Sequence, residues 1–218
     1  TPLYSSAASD VYKRQLKELR EILRGRIDGL DVDTQVVDAS SVNAPDVPET
    51  GVTFAENSLL KARAVAEATG LVAIADDSGL SVDVLNGAPG IFSARWAGSH
   101  GDDSANLNLL LAQWSDISAE HRGAKLCCEA SVASPNGFDA VEYGELPGEL
   151  LTGPAGEGGF GYDPILRPVE LNGENALYEG QYAGKSCAEI PAEIKNSISH
   201  RARAFAALIP QIPAALAS

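Results

Sequence analysis

Between residues 15 and 24 the apolar positions Leu16, Leu19, Ile22 and Leu23 recur with helical period, which predicts an amphipathic helix packed against a sheet. The stretch before it, TPLYSSAASDVYKR (1–14), shows neither strand alternation nor helical period and is expected to be an atypical leader ahead of one domain over 15–218. APDVPETG (44–51) is a loop by its prolines and glycine. Thr53 with Glu56 three residues later forms a capping box, and the Ala-rich run 56–69 stopped by Gly70 predicts a helix. LVAIA (71–75) is wholly apolar, as suits a strand buried on both faces, and it ends on Asp76 and Asp77. Leu80, Val82 and Val84 alternate with Ser81 and Asp83, a second and half-exposed strand before the turn NGAPG.

Further on, Leu107, Leu110, Leu111 and Trp114 mark a helix that starts near Asp102 or Asp103. Residues 124–134 alternate again, and Pro-Asn-Gly leads into 138–146 as a hairpin. GEGGFGYDP (156–164) is a loop, and Ser199 or His200 opens a last helix that runs through Ile209 to Pro210. No internal repeat is present. This order predicts an α/β domain with a mixed sheet, flanking helices and a central cleft.

Charge narrows the class. Sixteen Lys and Arg against thirty Asp and Glu give a net charge of −14 over 218 residues, a field that repels nucleic-acid backbones and anionic membranes. Neither a nucleic acid nor a membrane is therefore an expected partner, and no stretch is apolar enough to span a bilayer. A small polyanion stays open as a ligand, because lysines or a carboxylate-held cation reverse the local potential. The three cysteines, Cys127, Cys128 and Cys187, have no metal-binding spacing and read as reduced core residues, as expected in a cytoplasm.

The sharpest local signal for chemistry is IADDSG (74–79), since acids at the end of a buried strand are costly unless paired or metal-bound. Asp76 and Asp77 have an equally acceptable reading as turn caps. Glu49 and Glu56 add carboxylates of the kind that hold Mg²⁺ beside phosphates, though Glu56 already serves the capping box. GEGGFGYD lacks the lysine of a phosphate loop, but its Phe160 and Tyr162 read as exposed rings able to stack on a base, or else as anchors of the loop. Ser199, His200 and Arg201 at a helix start, with Lys195 one turn upstream, offer polar groups to a carbonyl or anion, or cap a solvated helix. Lys61 follows Asn57 by one helical turn. Arg95 and Lys185 find no place in this scheme.

In their order, ETGVTFAENSLLKARAVAEATG (49–70), AIADDSGLSVDVLNGAPGIFSARWAG (73–98), GEGGFGYDPI (156–165) and EIKNSISHRARA (193–204) resemble the inosine/xanthosine triphosphate pyrophosphatase family. The resemblance implies an elongated mixed α/β domain with two lobes around a central nucleotide-binding cleft, usually a homodimer. It implies hydrolysis of non-canonical purine nucleoside triphosphates to monophosphate and pyrophosphate, with Mg²⁺ as cofactor. Residue by residue, Asp77 matches the general base and metal ligand, Ser78 a substrate contact, and Glu49 the second metal carboxylate. Glu56, Asn57 and Lys61 match the phosphate side. Phe160, Gly161, Tyr162 and Asp163 match the base-binding loop, and Lys195, His200 and Arg201 the groups that read the purine's 6-keto edge.

One departure stands out. The family opens with a short apolar strand and a [T/S]-x-N-x-x-K loop, whereas alignment on the first helix puts Tyr12 and Gln15 at the asparagine and lysine, and residues 1–14 supply no apolar strand. The leader therefore reads as a replaced or chimeric N-terminus. It leaves open the alternative of a nucleotide- and metal-binding protein with little turnover.

Overall fold

The computed structural model describes residues 3–5, 10–171, 174–175 and 179–218. In chain order the elements are β1 (Leu3–Ser5), α1 (Asp10–Leu23), α2 (Val32–Gln35), β2 (Val36–Asp38), α3 (Phe54–Thr69), β3 (Val72–Val82), α4 (Asp103–Trp114), β4 (Gly123–Ala133) and β5 (Asp139–Leu150). There follow β6 (Leu166–Pro168), β7 (Glu170–Leu171), β8 (Glu174–Asn175), α5 (Ala192–Ile198), α6 (His200–Leu208) and α7 (Ile212–Ala217). Six strands form one sheet in the order β2, β1, β3, β4, β5, β6, and β7 pairs with β8. β1 is parallel to both neighbours and β5 antiparallel to β6, so the architecture is the expected mixed α/β one.

The chain divides into two units. The first comprises Thr1–Asp77, Cys128–Gly144 and Arg201–Ser218; the second comprises Ser78–Cys127 and Glu145–His200. In the first unit β3 is buried on both faces because its side chains alternate. Val72 and Ile74 join Leu19 and Leu23 of α1, Cys128 and Val132 of β4, and Phe205 and Leu208 of α6. Ala73 and Ala75 instead join Ala62, Val65 and Ala66 of α3. The second unit has its own core, in which Leu80 and Val82 meet Leu107, Leu110 and Trp114 of α4, Leu126, Leu146 and Ile165.

Helix α3 begins as its capping signal requires. Glu56 N donates to Thr53 Oγ1 at 3.1 Å, and Val52 N donates to Glu56 Oε2 at 2.6 Å. At the other end Gly70 takes a left-handed φ of 70° and its N–H closes on Ala66 O at 2.9 Å.

Four expectations change. The two strands foreseen around IADDSG are one strand, β3, so Asp76 and Asp77 lie within it rather than at its end. The strand survives two acids because each finds partners on its own face, as described below. Residues 1–14 do contain a strand: β1 pairs Leu3 with Val36 and with Val72, and the neighbouring edges supply the pairing that the local pattern does not announce. Thr1, Pro2 and residues 6–9 of the leader lie outside the described residues. Helix α1 starts at Asp10, ahead of the expected residue 15, and α5 was not foreseen because it follows Pro191 with little apolar period.

Cys127, Cys128 and Cys187 form no disulfide and are buried, as expected of core residues. Among the described residues no helix is long and apolar enough to cross a membrane.

Candidate active site

The alternation that buries β3 also separates its two acids. Asp77 continues the row of Ala73 and Ala75, and so meets α3; Asp76 continues the row of Val72 and Ile74, and so meets α1 and α6.

On the α3 face, Lys61 Nζ donates to Asp77 Oδ1 at 3.2 Å and to Glu49 Oε1 at 2.9 Å. Asn57 Nδ2 donates to Asp77 Oδ2 at 3.2 Å, so each carboxylate oxygen has one donor from the same helix. Burial pushes the Asp77 carboxyl up from its ordinary 3.8 to about 6; Glu49 adds repulsion, while Lys61 and Asn57 pull the other way. Burial works against the Lys61 charge, but Asp77 and Glu49 together raise its pKa. Beneath this group Ser58 Oγ donates to Ser131 Oγ at 2.7 Å and reaches Ala75 O at 3.2 Å, which ties α3 to β3 and β4.

On the opposite face Asp76 accepts two bonds from Arg201, from Nε at 3.0 Å and from Nη2 at 3.1 Å. Arg201 Nη1 also donates to Glu18 of α1 at 3.2 Å, and its guanidinium lies 5.4 Å from the Phe205 ring centre. The residue is 5% exposed, and despite burial the two acids raise its pKa further. Its charged head therefore faces acids inside the first unit.

In the second unit the glycine-rich loop is pinned by Asp163, whose Oδ2 accepts from Phe160 N at 3.0 Å and from Lys195 Nζ at 2.9 Å. A Cβ at Gly159, which sits at φ +72°, would run into that carboxylate. Phe160 is 51% exposed, which favours the exposed-ring reading over the anchor, and the Lys195 ammonium lies 4.9 Å from its ring centre. Tyr162 differs: its ring is 6% exposed and its hydroxyl donates to Ser93 O at 2.9 Å, so it anchors the loop instead of presenting a face. Gly161 N donates to Asp103 at the start of α4, 2.9 Å away. His200 and Lys195 are buried, and Ser78 is half-buried on β3. Burial, with Asp163 nearby, pushes the Cys187 thiol up to about 12, which keeps it protonated and inert.

The structure thus gathers Glu49, Lys61 and Asp77 in the first unit, and Phe160, Asp163 and Lys195 in the second. Sequence reasoning did not foresee Glu18, Ser93 or Asp103, which act through contacts far away in sequence. Arg95, left unplaced, lies over Phe92 at 5.4 Å, and Lys185 pairs with Glu189 at 2.9 Å. Among the described residues no group of three or more His, Cys, Asp or Glu is placed to hold a metal. The pair Glu49 and Asp77 suits Mg²⁺ nonetheless, since that ion takes one or two carboxylates and fills its shell with water and phosphate oxygens. Both carboxylates already converge on one cation, the Lys61 ammonium.

Residues 12–211 match the model of the Ham1 family. The chain belongs to the Ham1 family. A dITP/XTP pyrophosphatase of Streptomyces coelicolor is 59% identical over 198 residues, covering 91% of this chain and 92% of that one. One of Nocardia farcinica is 45% identical and covers 94% of each chain. The solved HAM1 protein of Coxiella burnetii superposes with a TM-score of 0.79 at 32% identity, covering 99% of this chain and all of its own. The nucleoside-triphosphatase, or dITP/XTP pyrophosphatase, of Mycobacterium abscessus does so with a TM-score of 0.71 at 42% identity, over 95% and 99% of the two chains. The fold is accordingly that of Ham1 structures, and the sequence blocks that suggested the family lie within the matched region.

Proposed function

We propose that this chain hydrolyses non-canonical purine nucleoside triphosphates, dITP, ITP and XTP, to the monophosphate and pyrophosphate, with Mg²⁺ and as a cytoplasmic homodimer. The observation that carries the reading is Asp77: a buried carboxylate with its ordinary pKa raised toward neutrality, one ammonium away from a second carboxylate. A base of that strength takes a proton from an attacking water near neutral pH better than an ordinary aspartate does. Close relatives named dITP/XTP pyrophosphatase support the same substrate class.

The roles follow from charge and exposure. Mg²⁺, held by Glu49 and Asp77, would neutralise part of the triphosphate charge. Lys61 supplies the permanent cation on the phosphate side. Phe160 offers the base a ring, and Lys195 and His200 are assigned to the 6-keto oxygen, with Ser78 as a further substrate contact. An adenine amino group at that position would leave buried donors unpaired, at about 1–3 kcal/mol each. Arg201, expected at the keto edge, is assigned instead to holding Asp76, because its guanidinium is used there.

Incubating the protein with dITP and Mg²⁺ should release pyrophosphate, with no orthophosphate until a pyrophosphatase is added. Orthophosphate as the direct product would end this reading. Phe160→Ala should raise KM for dITP with kcat nearly unchanged, because stacking lost in ground and transition state alike is uniform binding, worth about 1–3 kcal/mol. A fall confined to kcat would remove the stacking role.

A further inference from the structure

Asn57 belongs to α3 and, by the resemblance, to the phosphate side, yet its side chain is 0% exposed. It touches protein on both ends of its amide. Oδ1 accepts from Gly51 N at 2.8 Å, and Nδ2 donates to Asp77 Oδ2 at 3.2 Å. Gly51 closes the loop that carries Glu49, and Asp77 is on β3. We infer that Asn57 is a positioning residue that sets the separation of the Glu49 and Asp77 carboxylates, with Gly51 as its fitted partner. The inference rests on the reading of those two carboxylates given above.

The chemistry is specific to a primary amide. The loop presents an N–H and the strand presents a carboxylate oxygen, so the strut must accept at one end and donate at the other. Aspartate at this position would set an anion against Asp77, and an apolar residue would leave a partly buried N–H and a carboxylate oxygen without this partner. Gly51 completes the arrangement by having no side chain. A Cβ there would meet Asn57 Oδ1 at 2.7 Å and Glu56 Cβ at 2.7 Å, too close for either. Lys61, one turn further along α3, bridges the same two carboxylates, but it does so with a flexible stem; the short amide ties the backbone N–H of the loop that carries Glu49 directly to the Asp77 carboxylate.

The test compares the parent with Asn57→Leu and Gly51→Ala by three measurements: kcat and KM for dITP with Mg²⁺, affinity for Mn²⁺ by calorimetry without nucleotide, and thermal melting. Both variants are expected to lose at least about tenfold in kcat with KM within about threefold, and to bind Mn²⁺ at least about threefold more weakly. A purely structural role would lower the melting temperature and leave kcat per folded molecule and Mn²⁺ affinity where they were; that result overturns the inference. If Asn57→Leu shows no cooperative melting, Gly51→Ala alone decides, since it adds one methyl at the loop end of the strut. A parent that releases no pyrophosphate would instead overturn the proposed activity, and the Mn²⁺ titrations would still decide whether Asn57 and Gly51 hold the two carboxylates.

Discussion

Replacing Asp77 by Asn is expected to cut pyrophosphate release from dITP by at least about 100-fold while the protein stays folded. The side chain keeps its size and one oxygen, but it loses its basicity and its charge. Its two donors, Lys61 Nζ and Asn57 Nδ2, then face one carbonyl oxygen and one NH₂ group, so one of the two bonds is given up. Against that loss stands relief of a buried charge. The folded protein holds the Asp77 carboxyl at about 6, above its ordinary 3.8, and the proton is therefore bound more tightly in the folded state. The sign follows by linkage: ionised Asp77 lowers stability above about pH 6 and has no such effect below about pH 4. In a metal-free buffer the melting temperature of the variant relative to the parent should therefore be higher at pH 8 than at pH 4. Turnover within about threefold of the parent would remove Asp77 from the chemistry, and a relative melting temperature that falls from pH 4 to pH 8 would contradict the charge argument.

Where the physics is local, the sequence was readable. Thr53, Glu56 and Gly70 bound α3 by capping alone, and the period of Leu16, Leu19, Ile22 and Leu23 gave the buried face of α1. Phe160 between glycines was legible as an exposed ring, and a carboxylate inside an apolar run was legible as a group in need of partners. What was not legible depends on residues far away. IADDSG reads as a strand end until Arg201, 125 positions on, neutralises Asp76 within a continuous β3. Tyr162 looks like a second exposed ring until Ser93 O, 69 positions back, claims its hydroxyl. β1 is three residues long, and its pairing comes from β2 and β3 rather than from any pattern of its own.

The adjacency of Asp76 and Asp77 invites the idea of a catalytic pair, and strand geometry removes it. Neighbouring strand residues point to opposite faces, so the two acids serve different ends. One is held by Lys61 and Asn57 beside Glu49; the other is locked by a guanidinium between β3, α1 and α6. The double acid thus divides between the two faces of one strand, each acid with its own partners.

That division predicts a stability effect at Arg201. Arg201→Leu removes the cation between Asp76 and Glu18, whose side chains keep 15% and 18% of their exposure, and leaves two partly buried carboxylates facing an apolar residue. Breaking a buried ion pair from one side costs about 3–5 kcal/mol, because the remaining charge loses its compensating cation. For a chain of this size that is roughly 6–20 °C in melting temperature. Arg201→Lys should lose less, since an ammonium keeps the charge but cannot make the two parallel bonds to Asp76. Adding Asp76→Asn to Arg201→Leu should recover part of the loss, since the stranded charge is then gone. Far-ultraviolet circular dichroism is the suitable probe, since it reports on the helices and strands of both units whereas Trp96 and Trp114 both fall in the second. If Arg201 instead acts mainly on the purine, Arg201→Leu will melt within about 2 °C of the parent and raise KM for dITP. Further destabilisation on adding Asp76→Asn would equally defeat the assignment, because it would mean that Asp76 contributes to stability without its guanidinium.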